Sequence, residues 1–170
     1  MAKAVKPASK KAVAPKKAAP KKLAKKAAAA KSETGIKYSD KSAGQSPELL
    51  QIFDELKKRM LPYGKGSIKV RGGTGGQLVL VSEMPVEIAG RKRDEYWFGA
   101  ILIQKGYVGF YFMPVQDPAE RKAIFKPELL KCLKGKSCFH IKKSDKEIFK
   151  QVEEALAAGY KKTKERGWIK

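Results

Sequence analysis

The chain has 170 residues, a length at which one hydrophobic core of ordinary size is expected rather than two. Its 38 Lys and Arg against 17 Asp and Glu give a formal net charge of +21, which favours polyanionic partners over free cations. No stretch approaches the ~18 consecutive apolar residues of a membrane span, and the N-terminus lacks the apolar run and cleavage pattern of a secretory signal. The expectation is a cytoplasmic protein with no membrane partner, nucleoid-associated if its partner is DNA, whose two cysteines are reduced thiols.

The charge is concentrated at the start. Residues 1–31 hold eleven lysines and no acid, while the other 27 basic residues share residues 32–170 with all 17 acids. Pairs recur at Lys10 and Lys11, Lys16 and Lys17, Lys21 and Lys22, and Lys25 and Lys26, separated by Ala and Pro. Up to residue 44 there is almost nothing large and apolar beyond Val5, Val13, Leu23, Ile36 and Tyr38, too little to offset the backbone entropy that folding would cost. Residues 1–44 are therefore expected to be a disordered tail and residues 45–170 a folded domain. The tail resembles the Lys, Ala and Pro tails of linker histones and bacterial histone-like proteins. Flexible ammonium groups of this kind displace condensed counterions from phosphates, which gives sequence-independent, salt-sensitive binding to nucleic acid.

The domain opens at Ser46-Pro47, a capping residue followed by proline at the first helical position, and Leu49, Ile52, Phe53, Leu56 and Met60 recur at helical spacing. Five strand-like runs follow, at 67–70, 77–82, 85–89, 96–104 and 107–113, with Lys105-Gly106 as a tight hairpin between the last two. Alternation in the last run sends Val108, Phe110 and Phe112 to a core face, and Tyr107, Gly109, Tyr111 and Met113 to a second face that is the plausible exposed aromatic platform. A short helix is expected over 126–133, then a strand over 137–141. A last helix starts at Ser144, where Ser-Asp-Lys-Glu reads as a capping box with Glu147. Gly167 ends it, and Trp168 suits the apolar contact of a Schellman cap. The fold class is α+β, a mainly antiparallel sheet with helices packed on one face.

Candidate chemistry is sparse. "RGGTGGQLVLV" (71–81) has neither the Gly-Lys-Ser/Thr of a phosphate loop nor a helix after it, so a flexible hairpin loop is expected. "GRKRD" (90–94) reads as a charged turn whose Arg91, Lys92 and Arg93 are accessory phosphate contacts. No nucleophile has a recognisable base and orienting carboxylate, so no enzyme is expected. "KGKSCFHIKK" (134–143) places Cys138 and His140 on one face of a strand and Phe139 and Ile141 on the other. Cys132 lies on the preceding helix, and flanking ammonium groups disfavour a divalent ion while suiting an anion. Lys136, His140 and Lys142 are thus a possible anion contact, with no metal and no cofactor expected.

The stretches "YWFGAILIQKGYVGFYFMPV" (96–115) and "PELLKCLKGKSCFHIKKSD" (127–145), with the closing helix to "GW", resemble the YdhG-like family over about residues 46–170. The resemblance implies a bacterial domain whose specific role is largely unassigned. Some relatives are described as frataxin-like iron chaperones, so it also implies an alternative, an iron or small-ligand carrier whose tail only keeps it soluble. A frataxin-like surface needs clustered carboxylates. Here Glu147, Glu153 and Glu154 share a helix with Lys146, Lys150, Lys161 and Lys162, and Glu48, Asp54 and Glu55 sit beside Lys57, Lys58 and Arg59.

Overall fold

Ser46 and Pro47 start the first helix as expected. In the structure, a computed structural model that describes residues 41–115 and 117–170, α1 spans Pro47–Met60 and the Ser46 hydroxyl accepts the Leu49 N–H at 3.4 Å. The stripe Leu49, Ile52, Phe53, Leu56 and Met60 is buried along its whole length. A 3-10 turn, Leu61–Tyr63, follows at Pro62. Expectations for residues 1–40, the disorder of the tail among them, lie outside the described residues.

Eight strands follow: β1 (Ile68–Gly72), β2 (Gln77–Ser82), β3 (Val86–Ile88), β4 (Arg91–Arg93), β5 (Tyr96–Gln104), β6 (Tyr107–Phe112), β7 (Leu133–Lys134) and β8 (Cys138–Ile141). Six of them form one sheet in the order β1-β2-β5-β6-β8-β7, every neighbouring pair antiparallel. The other helices among the described residues are α2 (Pro118–Ile124), α3 (Pro127–Lys131) and α4 (Lys146–Glu165). The fold is α+β, as the sequence predicts. One sheet face, through Leu78, Leu80, Phe98, Ile101, Ile103, Val108, Phe110, Phe112, Phe139 and Ile141, shares a continuous core with the apolar stripes of α1, α3 and α4. On the other face Val79, Val81 and Ala100 form a separate small cluster with Leu102 and Tyr111, and among the described residues no helical one joins it.

A β-bulge decides which aromatic goes where. Leu80 pairs with Gly99 and Val81 with Trp97, so Phe98 is the extra residue of β5. The bulge sets Phe98 in the main core and leaves Trp97 39% exposed on the helix-free side. β5 and β6 turn at Lys105-Gly106, where Gly106 has φ +83, a conformation glycine adopts without strain.

The structure corrects four local expectations. The reversal near "GRKRD" is at Ala89-Gly90, with φ 51 and 73, and Arg91, Lys92 and Arg93 are strand β4 of a two-stranded hairpin. Two positive φ values are what a two-residue hairpin needs to match strand twist. The helix over 126–133 stops at Lys131, and Leu133–Lys134 becomes the edge strand β7. The cap of α4 is Asp145, whose Oδ1 accepts from Glu147 N at 2.8 Å and Ile148 N at 3.4 Å, so the capping residue is one position later than Ser144. Met113 follows the end of β6 and packs against the main core, not on the second face. The C-terminal end of α4 closes as expected: Gly167 has φ +71, its N–H reaches Lys164 O at 2.9 Å, and Trp168 N–H reaches Thr163 O at 3.1 Å, a full Schellman pair.

Candidate nucleic-acid interface

Lys10, Lys11, Lys16, Lys17, Lys21, Lys22, Lys25 and Lys26 lie outside the described residues. What the structure describes is the helix-free face of the sheet, and strand register places its side chains. Opposite Val79 and Val81 of β2 stand Arg71 and Lys69 of β1, and Trp97 pairs with Val81 on the other side. Arg71 donates to Glu95 at 2.9 Å, and the Trp97 indole N–H donates to the other oxygen of Glu95 at 2.9 Å. Arg71 also reaches Glu83 at 3.5 Å. This half of the face is therefore tied down by a charged network over a small apolar cluster.

The other half is built differently. Gln104 pairs with Tyr107, Gly109 with Leu102 and His140, and Tyr111 with Cys138, so these residues share the helix-free face. Tyr107 and His140 stack at 3.9 Å between ring centroids, only 14° from parallel. A Cβ on Gly109 would lie 2.9 Å from the Tyr111 ring, so the glycine is what lets that ring fold over the strand. The Tyr111 hydroxyl accepts from Gln104 Nε2 at 3.2 Å. Burial pushes the Tyr111 phenol up, the Cys138 thiol and Tyr107 add to it, and Gln104 opposes.

Of the three residues of the possible anion contact only His140 lies on β8. Lys136 is exposed in the turn before the strand, and Lys142 is exposed directly after it. Cys132 caps the end of α3, and its carbonyl accepts the His140 N–H at 2.8 Å, which extends the β7–β8 ladder by one bond. Both thiols are held above their ordinary range. For Cys132 the cause is burial, helped by Asp145 and Glu128 and opposed by Lys134; for Cys138 it is burial, opposed by the Tyr111 hydroxyl. Protonated thiols are weak nucleophiles and weak metal ligands. Among the described residues no group of three or more His, Cys, Asp and Glu is placed to hold a metal ion.

Of the six carboxylates weighed for the carrier alternative, Glu55, Glu153 and Glu154 are engaged with cations. Glu55 meets Arg59 at 2.7 Å and Lys58 at 3.0 Å, Glu153 meets Arg59 at 3.8 Å, and Glu154 meets Lys126 at 2.7 Å. Glu55, Lys58, Arg59, Pro62, Tyr63 and Glu153 line a shallow groove whose charges are matched within it. Lys69, Arg71 and Lys134 are basic residues of the helix-free face that the strand readings missed. Their side follows from the pairing partner of each strand, and in β7 a two-residue strand shows no period.

Among the described residues no helix is long and apolar enough to cross a membrane. No family model, no curated protein and no solved structure matches the chain.

Proposed function

We propose that the protein is a non-enzymatic nucleic-acid binder without sequence preference, in which a lysine-rich arm supplies the affinity and a YdhG-like α+β domain carries it. The observation that carries this reading is the arm's charge pattern, eleven lysines and no acid in residues 1–31. A run of like charge with no internal partner gains most from a polyanion, because each lysine that meets a phosphate releases condensed counterions. The ion pairing of Glu55, Glu153 and Glu154 supports the same reading against an iron carrier, since carboxylates held by Arg and Lys are poor sites for a hard cation.

The test replaces Lys10, Lys11, Lys16, Lys17, Lys21, Lys22, Lys25 and Lys26 together by Gln in the full chain. Duplex affinity at low salt is expected to fall at least ~100-fold, with wild-type protein binding unrelated duplex sequences equally well. Replacing Lys136 and Lys142 by Gln is expected to change duplex affinity no more than about threefold, because two contacts are a small share of the charge. Undiminished binding by the eightfold variant would overturn the reading.

A further inference from the structure

We propose that the Tyr107–His140 half of the helix-free face is a stacking site for the bases of single-stranded nucleic acid. The inference rests on the nucleic-acid reading above and names the strand state that the domain itself selects. Two observations carry it. The first is geometric: two aromatic rings from adjacent strands are stacked at 3.9 Å and 14°, half-buried on the sheet face whose cluster includes no residue of the described helices. Each ring spends one face on the other, so a further ring adds to the end of the column. Gly109 of β6 stands opposite His140 with no side chain, and Gln104 provides an amide beside Tyr107.

The second is electrostatic. Residues 96–115 and 129–143, which contain β5, β6, β7, β8 and their turns, hold no Asp or Glu, and they carry Lys105, Lys131, Lys134, Lys136, Lys142 and Lys143. Lys134 shares the face directly, opposite Cys138. Asp145 and Glu128 act on the Cys132 thiol; Asp145 caps α4, and Glu128 pairs with Lys131 at 2.7 Å. The Arg71–Glu95–Trp97 network occupies the other half. With Lys131 matched by Glu128, the rings keep Lys105, Lys134, Lys136, Lys142 and Lys143 around them, and that setting suits a ligand that is aromatic and anionic together. A duplex keeps its bases stacked on each other, so the ligand is a single strand, with sequence tolerance because every base has a π-face.

His140 is the chain's only histidine, which makes it a reporter in the unaltered protein. Its reaction with diethyl pyrocarbonate is expected to slow at least ~5-fold on saturation with oligothymidine and to be unchanged on saturation with a duplex of equal length, which occupies the arm alone. Replacing Tyr107 by Leu is expected to weaken oligothymidine binding about 5- to 100-fold at unchanged duplex affinity, and Tyr107→Phe to restore it. Equal protection by both nucleic acids, or by polyglutamate, would overturn the stacking site while leaving the arm's role intact. So would oligothymidine affinity that survives Tyr107→Leu. Binding of neither nucleic acid by wild-type protein would instead overturn the reading on which it rests.

Discussion

Gly159 is a residue at which two effects of opposite sign can be weighed. Inside a helix, Gly→Ala ordinarily gains up to ~1 kcal/mol. On α4, however, a Cβ at 159 would lie 2.2 Å from Cζ of Phe112 and 3.0 Å from Cβ of Pro114, and Phe112 is fully buried. Overpacking of that kind costs about 1 to 3 kcal/mol and wins. Gly159→Ala is expected to lower stability by that amount in urea titration; a gain would show that α4 can move off β6. Tyr96 makes a second residue-scale prediction. It is 2% exposed, and burial drives its phenol far above the usual range, against the smaller opposing effects of Thr163 and Arg166. A pKa raised by folding contributes stability that is complete below the unfolded value, near ~10, and disappears as pH rises through the folded one. Wild-type stability relative to Tyr96→Phe is therefore expected to be constant from about pH 7 to 9 and to fall above about pH 10. A difference that stays constant above about pH 10 as well would mean that the phenol is not buried in solution.

At the scale of the element, the start of α4 separates two readings of one sequence. Ser144 fits a capping box on spacing alone, yet the backbone turns so that Asp145 accepts from Glu147 N and Ile148 N. Asp145→Ala is expected to cost about 1 kcal/mol and Ser144→Ala close to nothing, because a cap stabilises only through the bonds it makes. The reverse order would restore the capping box at Ser144. The contrast shows what was legible. α1, the β5–β6 hairpin and the Schellman end of α4 rest on patterns inside one segment, and they stand where the spacing puts them. α2 was not seen because PAERKAI buries none of its residues and so shows no apolar stripe. β7 is two residues long and exists only through its pairing with β8. The bulge at Phe98 breaks the period of two on which strand faces are read. The candidate site divides in the same way. Tyr107, Tyr111 and His140 follow from alternation within β6 and β8, whereas Lys69 and Arg71 join the face only through the register of β1 on β2.

On the scale of the whole molecule, the proposed function divides the labour between arm and domain. The arm's eleven lysines have no acid among them, while in residues 32–170 the 27 basic residues are interspersed with 17 acids, several of them in ion pairs. Affinity should therefore follow the arm, and selection between strand states should follow the helix-free face. The most direct measurement is the dependence of duplex affinity on salt for the full chain and for the eightfold Lys→Gln variant. If about six to ten lysines engage phosphates, wild-type affinity falls about 10³- to 10⁵-fold between roughly 50 and 200 mM salt. The slope of log Kobs against log salt then drops in magnitude by about 0.9 for each engaged lysine that is replaced. A wild-type slope near zero, or one that the eight replacements leave unchanged, would contradict the account.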